Sequence, residues 1–299
     1  MPLMYVAKIN LNSKIFDVYE EKLKLEEVIN DIFEKINEEP KYKRSKRKEF
    51  KDSLGNRKKY TKVSQYQFNE LTKFNEEKVI TGKIIRTYNR PTEDFNENNE
   101  LVDVYVEEHV SIYFYFDVRK ELVSFSTRQA FGYNQFTEAF KYLLNMSVRD
   151  YEFEVFLKKD KDLLEKKLKS LQKVKRMSAT LIPPNSNKEE LKELREEIGY
   201  ISQCKDTNAK KIKIDLIDTD DAGLNMEAKM MKETISAAAK GYGDITTYGV
   251  NKNGREQIVK SNTDAALTRI VNENLGEEDY NNEAKDFIAV VKATSLLNM

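Results

Sequence analysis

Apolar residues recur along this chain with two periods, and the order of those periods limits the fold. Period two marks a strand with one buried face; spacings of three and four mark a helix with one apolar stripe. Residues 3–9 (Leu-Met-Tyr-Val-Ala-Lys-Ile) read as a first strand. A helix is expected over about 17–37, where Leu25, Val28, Ile29, Ile32, Phe33 and Ile36 share a stripe and Pro40 stops the run. A β-rich section follows, with a strand expected at 79–88, one or two further strands over 101–106 and 110–117, and 121–127 completing a hairpin. The acidic, Asn-rich residues 91–100 read as a loop. A helix over 134–146 carries Phe136, Phe140, Leu143 and Leu144 on one face.

From residue 150 strands and helices alternate. Strands are expected at 150–157, 174–182 and 210–217, and helices at 160–172, 187–201 and 224–240. Ser186 with Glu189 makes a capping box for the helix at 187–201. A hairpin is expected from 244–250 and 255–261, then a helix near 264–274; the pattern over 283–297 fits no single type. The whole reads as α+β: mixed or antiparallel sheets covered by helices, in two sub-domains. Residues 1–148 would form a strand, helix, basic loop and β-rich domain, and residues 149–299 an alternating strand/helix domain with a C-terminal hairpin. No glycine-rich strand-to-helix turn favours a doubly wound nucleotide fold.

Composition narrows the chemistry. One cysteine, Cys204, excludes an internal disulfide framework. With one histidine, His109, it also excludes the usual Cys/His zinc sets. No apolar run reaches the roughly 18 residues of a membrane span, and the N-terminus lacks a basic segment followed by an apolar one, so a cytoplasmic location is expected. Abundant Lys, Glu, Asn, Ile, Tyr and Phe accompany AT-rich genomes and point to a low-GC bacterium or its mobile elements.

Charge is unevenly laid out. The 51 basic and 51 acidic residues cancel, yet residues 41–62 hold eleven basic residues against Glu49 and Asp52, a net +9 (11 − 2). Gly55-Asn56 suggests a turn or flexible loop within this stretch. Lys43, Arg44, Lys46, Arg47, Lys48, Arg57, Lys58 and Lys59 are the candidate nucleic-acid-binding residues, because clustered cations displace condensed counterions from a phosphate backbone. Tyr42, Phe50 and Tyr60 are candidates to stack on unpaired bases. The neutral total argues against a wholly basic binder. Lys83, Arg86 and Arg90 read as ordinary exposed positions.

Other candidates are less specific. Asp215, Asp218, Asp220 and Asp221 sit where a strand gives way to a loop, and Asp150, Glu152 and Glu154 share a strand face; such carboxylates can hold Mg²⁺ for phosphodiester hydrolysis. The more common reading is solvated or capping carboxylates, and no metal ligand or cofactor is assigned. His109 lacks a Gly-x-Ser-x-Gly partner motif, and Cys204, beside Lys205, has no catalytic histidine nearby in sequence. Gly241-Tyr242-Gly243 follows a helix, the reverse of a phosphate cradle, and reads as a helix stop. Met226, Met230 and Met231 read as core filling.

The stretch Ser178-Ala-Thr-Leu-Ile-Pro-Pro-Asn185, followed by Gly223 and the Gly241-Tyr-Gly243 hairpin, resembles uncharacterised bacterial proteins of phage-defence and mobile-element loci, chiefly over residues 174–262. The resemblance implies a defence or phage-encoded role and carries over no site residue. The expectation is a non-enzymatic nucleic-acid-binding component of such a system. A protein–protein adaptor or homo-oligomer, in which the basic loop meets the acidic 93–108 region of a neighbour, is one alternative. A Mg²⁺-dependent nuclease using Asp215, Asp218 and Asp220 is the other.

Overall fold

The computed structural model describes residues 2–185, 204–272 and 275–297. Strand β1 (Leu3–Leu11) lies inside a large sheet because both of its faces are apolar. Tyr5, Ala7, Ile9 and Leu11 turn toward helices α2 (Leu25–Lys35) and α3 (Tyr133–Ser147). Met4 and Val6 turn toward α7 (Glu277–Leu297) on the opposite side. The helix expected over about 17–37 is split into α1 (Ile15–Tyr19) and α2, with the apolar stripe from Leu25 to Ile36 kept on α2 and its C-cap, because Glu21 takes a left-handed φ of 61° between them.

The sheet runs β12-β1-β6-β5-β4-β3-β2, with β7 also on β1. Its members are β2 (Lys41–Lys51), β3 (Arg57–Phe74), β4 (Val79–Phe95), β5 (Leu101–Asp117), β6 (Leu122–Ser126), β7 (Phe153–Leu157) and β12 (Thr268–Ile270). All pairings are antiparallel. A cluster of rings fills the space under α3, with Phe125 and Phe136 stacked at 3.8 Å.

Three expectations change here. The basic stretch is not a loop but a hairpin, paired from Lys41–Gln67 to Lys51–Arg57. Residues 91–95 continue β4, leaving 96–100 as the turn; Asn96 Oδ1 closes it by accepting the backbone N–H of Asn98 and Glu100. The helix expected near 264–274 is instead α6 (Ser261–Asp264) followed by β12, whose Ile270 pairs with Leu3 at the sheet edge. The expected helix at 187–201 lies outside the described residues.

A second antiparallel sheet, in the order β11-β10-β8-β9, is built from β8 (Leu171–Leu181), β9 (Ile212–Ile217), β10 (Gly243–Asn251) and β11 (Glu256–Lys260). Helices α4 (Lys161–Lys169) and α5 (Lys229–Ala239) cover it through Leu164, Leu168, Met231 and Ile235. Met226 packs partly against this cluster, while Met230 is exposed. Gly243 is required by close approach: a Cβ there would stand 2.1 Å from the Thr180 carbonyl oxygen.

The large sheet draws strands from both sides of residue 148, since β7 and β12 both pair with β1. Residues 158–160 join the sheets: Lys158 N donates to the Val6 carbonyl and Asp160 N to that of Ala265. The Lys159 side chain is 0% exposed. Its ammonium bonds Asp244 (2.7 Å) and the Gly243 carbonyl (2.6 Å), as a buried charge must. Among the described residues no helix is long and apolar enough to cross a membrane.

Candidate nucleic-acid interface

Period-two geometry sorts the basic hairpin into two surfaces. Antiparallel pairing keeps residues of equal parity on one face, because Tyr42 opposes Tyr66, Arg44 opposes Ser64, and Lys46 opposes Lys62. The even face continues through Phe68 and Ile84 into the core. The odd face is exposed at every position from Lys41 to Lys51 and from Arg57 to Val63.

The eight expected contact residues divide equally. Lys43, Arg47, Arg57 and Lys59 lie on the outward face, joined there by Lys41 and Lys51. Arg44, Lys46, Lys48 and Lys58 lie on the inward face. A single ligand surface cannot touch both sets. Two of the inward cations already have partners. Arg44 pairs with Glu138 of α3. Lys58 bonds Asp103 (2.8 Å) and lies near Asp52 (3.6 Å) and Glu93 (3.8 Å). The bond to Asp103 holds the Lys58 ammonium above the usual lysine range. These contacts join the basic hairpin to the acidic stretch 93–108 of the same chain.

The outward six have no ion-pair partner among the described residues except across the strand, where Glu49 stands opposite Lys59. Lys51 stands directly opposite Arg57, a like-charge pair that costs stability in a sheet. The aromatic expectations are corrected. Tyr42 stacks on Tyr142 at 4.4 Å and donates to Glu138 at 2.7 Å; burial, then that carboxylate, pushes its phenol above the ordinary range. Phe50 meets Tyr60 edge-on at 5.9 Å, and Tyr60 leans on Tyr105. All three are inward, so no ring of this hairpin faces out with the free cations.

Beyond the Ser64–Tyr88 pair the ladder between β3 and β4 stops. Asn89 replaces it, accepting from Val63 N (2.7 Å) and donating to the Thr61 carbonyl (3.2 Å). The two hairpins then stay together at their tips, where Ser53 N donates to Glu93.

Arg86 overturns an expectation. It is 4% exposed, not an ordinary surface position. Its guanidinium donates to Ser64 Oγ (3.0 Å) and to the Ala130 carbonyl, and lies 4.4 Å from the Tyr88 ring. Lys62 stands over the same ring at 4.0 Å. Burial, then the Arg86 cation, holds Lys62 below its usual range. Arg86 was legible in principle: it has the parity of Ile80 and Ile84, the buried positions of its strand. Lys83, of opposite parity, pairs with Glu70, and Arg90 with Glu108.

The remaining candidates are engaged elsewhere. Asp215 receives both nitrogens of the Arg176 fork at 2.8 Å, and Ser178. Asp218 accepts the backbone N–H of Asp220 and Gly223, and Asp221 pairs with Lys173 and Lys175. Asp150 pairs with Lys35, and Glu154 with Lys141 and Lys211. Among the described residues no three His, Cys, Asp or Glu side chains converge as a metal set. His109 meets Thr87 Oγ1 at 2.9 Å on the surface. The Cys204 thiol is buried and pushed up to about 11, while Lys205 turns to Glu20. Gly241, with φ of +88°, ends α5.

The profile of a family described as "Domain of unknown function (DUF4747)" matches residues 4–286. No curated protein matches the chain.

Proposed function

We propose that the chain, which belongs to that family, is a non-enzymatic nucleic-acid-binding component that grips the phosphate backbone with the outward face of its β2–β3 hairpin. The observation that carries the proposal is the exposed row of Lys41, Lys43, Arg47, Lys51, Arg57 and Lys59, opposed only by Glu49. Same-face side chains stand about 6.8 Å apart along a strand, so the row is an extended ribbon of positive charge. No aromatic side chain of the hairpin shares the outward face with these cations, which fits contact with the phosphate backbone rather than stacking on bases. The setting we propose is the one the sequence resemblance implies, a phage–host conflict system, with the chain at work in the cytoplasm.

The test is equilibrium binding of labelled single- and double-stranded DNA and RNA, with and without Mg²⁺, with the products run on a denaturing gel. The expected result is salt-sensitive retention of intact strands, lost in Lys43→Gln/Arg47→Gln/Arg57→Gln/Lys59→Gln. Unchanged binding by this variant removes the site assignment. Strand cleavage removes the non-enzymatic reading.

A further inference from the structure

The inward face of the same hairpin encloses a cavity of about 330 Å³ that the backbone-binding role does not use. It lies between β2, β3 and β4 and the turn carrying Gln129 and Ala130. Its lining includes Arg44, Lys46, Lys48, Lys62 and Arg86, with Ser64 at the base. The neighbouring carboxylates are hydrogen-bonded to other groups, Glu138 to Tyr42 and Arg44, and Glu108 to Arg90 and the Tyr88 hydroxyl; Glu108 also attracts Lys62, from beyond ion-pair distance. Four cations, Lys46, Lys48, Lys62 and Arg86, therefore face one space with no ion-pair partner among the described residues.

This arrangement is unfavourable for an empty protein. Lys46 stands directly opposite Lys62 across the ladder, a like-charge pair. Arg86 is buried against two tyrosine rings without a carboxylate. A buried cation needs a counter-charge or a full set of acceptors, and Arg86 spends only part of its donor fork on Ser64 and Ala130. We infer that this cavity is a binding site for a phosphate monoester, with the Arg86 guanidinium and Ser64 at its base and Lys46, Lys48 and Lys62 closing over the anion. A monoester carries close to two negative charges and three free acceptor oxygens at neutral pH. It matches four convergent cations better than a backbone diester with one charge. The volume suits a ligand up to about nucleotide size. The phosphate can come from a free nucleotide or from the end of a strand, and both present the same group.

The probes are inorganic phosphate, adenosine monophosphate, and one short single strand made with a 5′-phosphate or a 5′-hydroxyl. Binding is followed by calorimetry at ionic strength matched with chloride. The expected result is saturable binding of adenosine monophosphate that weakens at least tenfold in Lys46→Gln/Lys48→Gln and stays within twofold in Lys43→Gln/Arg47→Gln. Both pairs lie on exposed strand positions. A tenfold preference for the 5′-phosphorylated strand over both its 5′-hydroxyl form and the nucleotide assigns the site to strand ends; equal affinity for nucleotide and phosphorylated strand assigns it to a free nucleotide. No saturable binding of either phosphate compound, or equal losses in both variants, overturns the site. The outward-face role stands or falls separately, because it is read with the 5′-hydroxyl strand.

Discussion

The division of one basic hairpin into two faces makes a quantitative forecast. Each phosphate contact contributes about −0.9 to the slope of log K against log salt for a duplex and about −0.7 for a single strand. Six outward cations set a limiting duplex slope of about −5.4. A fourfold rise in salt then weakens binding roughly 2,000-fold. Removing Lys43, Arg47, Arg57 and Lys59 leaves Lys41 and Lys51, a slope near −1.8 and a loss of about 12-fold over the same range. Removing Lys46 and Lys48 from the inward face changes net charge by two but is expected to move the slope by less than about 0.5, because those side chains point away from the ribbon. The assay is fluorescence anisotropy with a 5′-hydroxyl duplex at four or more salt concentrations. Equal slope changes per charge removed from either face would refute the geometric argument, since bulk charge alone would then suffice.

Three further outcomes follow from particular contacts. Lys46→Glu replaces the like-charge pair with Lys62 by an opposite one and is expected to stabilise the protein by about 0.5–1 kcal/mol. Urea midpoints check this, with Lys43→Glu, which faces Gln65, as a control that gains less. Lys158, held at about 7 by burial and by the cations of Lys8, Lys159, Lys240 and Lys292, is neutral in the folded chain where the unfolded chain, near 10.5, still holds a proton. Its contribution is therefore full above pH 10.5 and is lost as pH falls toward 7, so stability rises with pH across that window. Lys158→Met is expected to flatten the rise in urea midpoint between pH 7 and 9, and an unchanged slope contradicts the assignment. Phe136→Ala, at a ring with no exposure stacked on Phe125, is expected to cost about 3–5 kcal/mol in denaturant unfolding.

The fold class was legible because strands and helices imprint their periods on apolar residues. The stripe Val28, Ile32 and Phe33, the alternation Phe153, Val155 and Leu157, and the helix at Phe136–Leu144 all carry buried positions at the expected spacing. The basic hairpin was illegible as strands because its inward positions Arg44, Lys46, Lys48 and Lys58 are as charged as its outward ones. Hydrophobic period detects burial, and here neither face of the distal hairpin is apolar. β12 was misread because three residues hold no period, and its place is set by the edge of β1. Within the candidate site the cluster of charge was visible, but the two faces, the internal pairs of Arg44 and Lys58, and the buried Arg86 are set by register and by contacts across 44 to 94 residues.

The most direct test of the outward-face grip is to locate the contact. A photoreactive single strand with a 5′-hydroxyl end is cross-linked to the full chain, and the attached peptides are sequenced. Cross-links within residues 41–61 at outward positions, competed away by salt, are the expected result. Cross-links confined to the second sheet or to the inward positions, or none at a concentration that saturates binding, would contradict it.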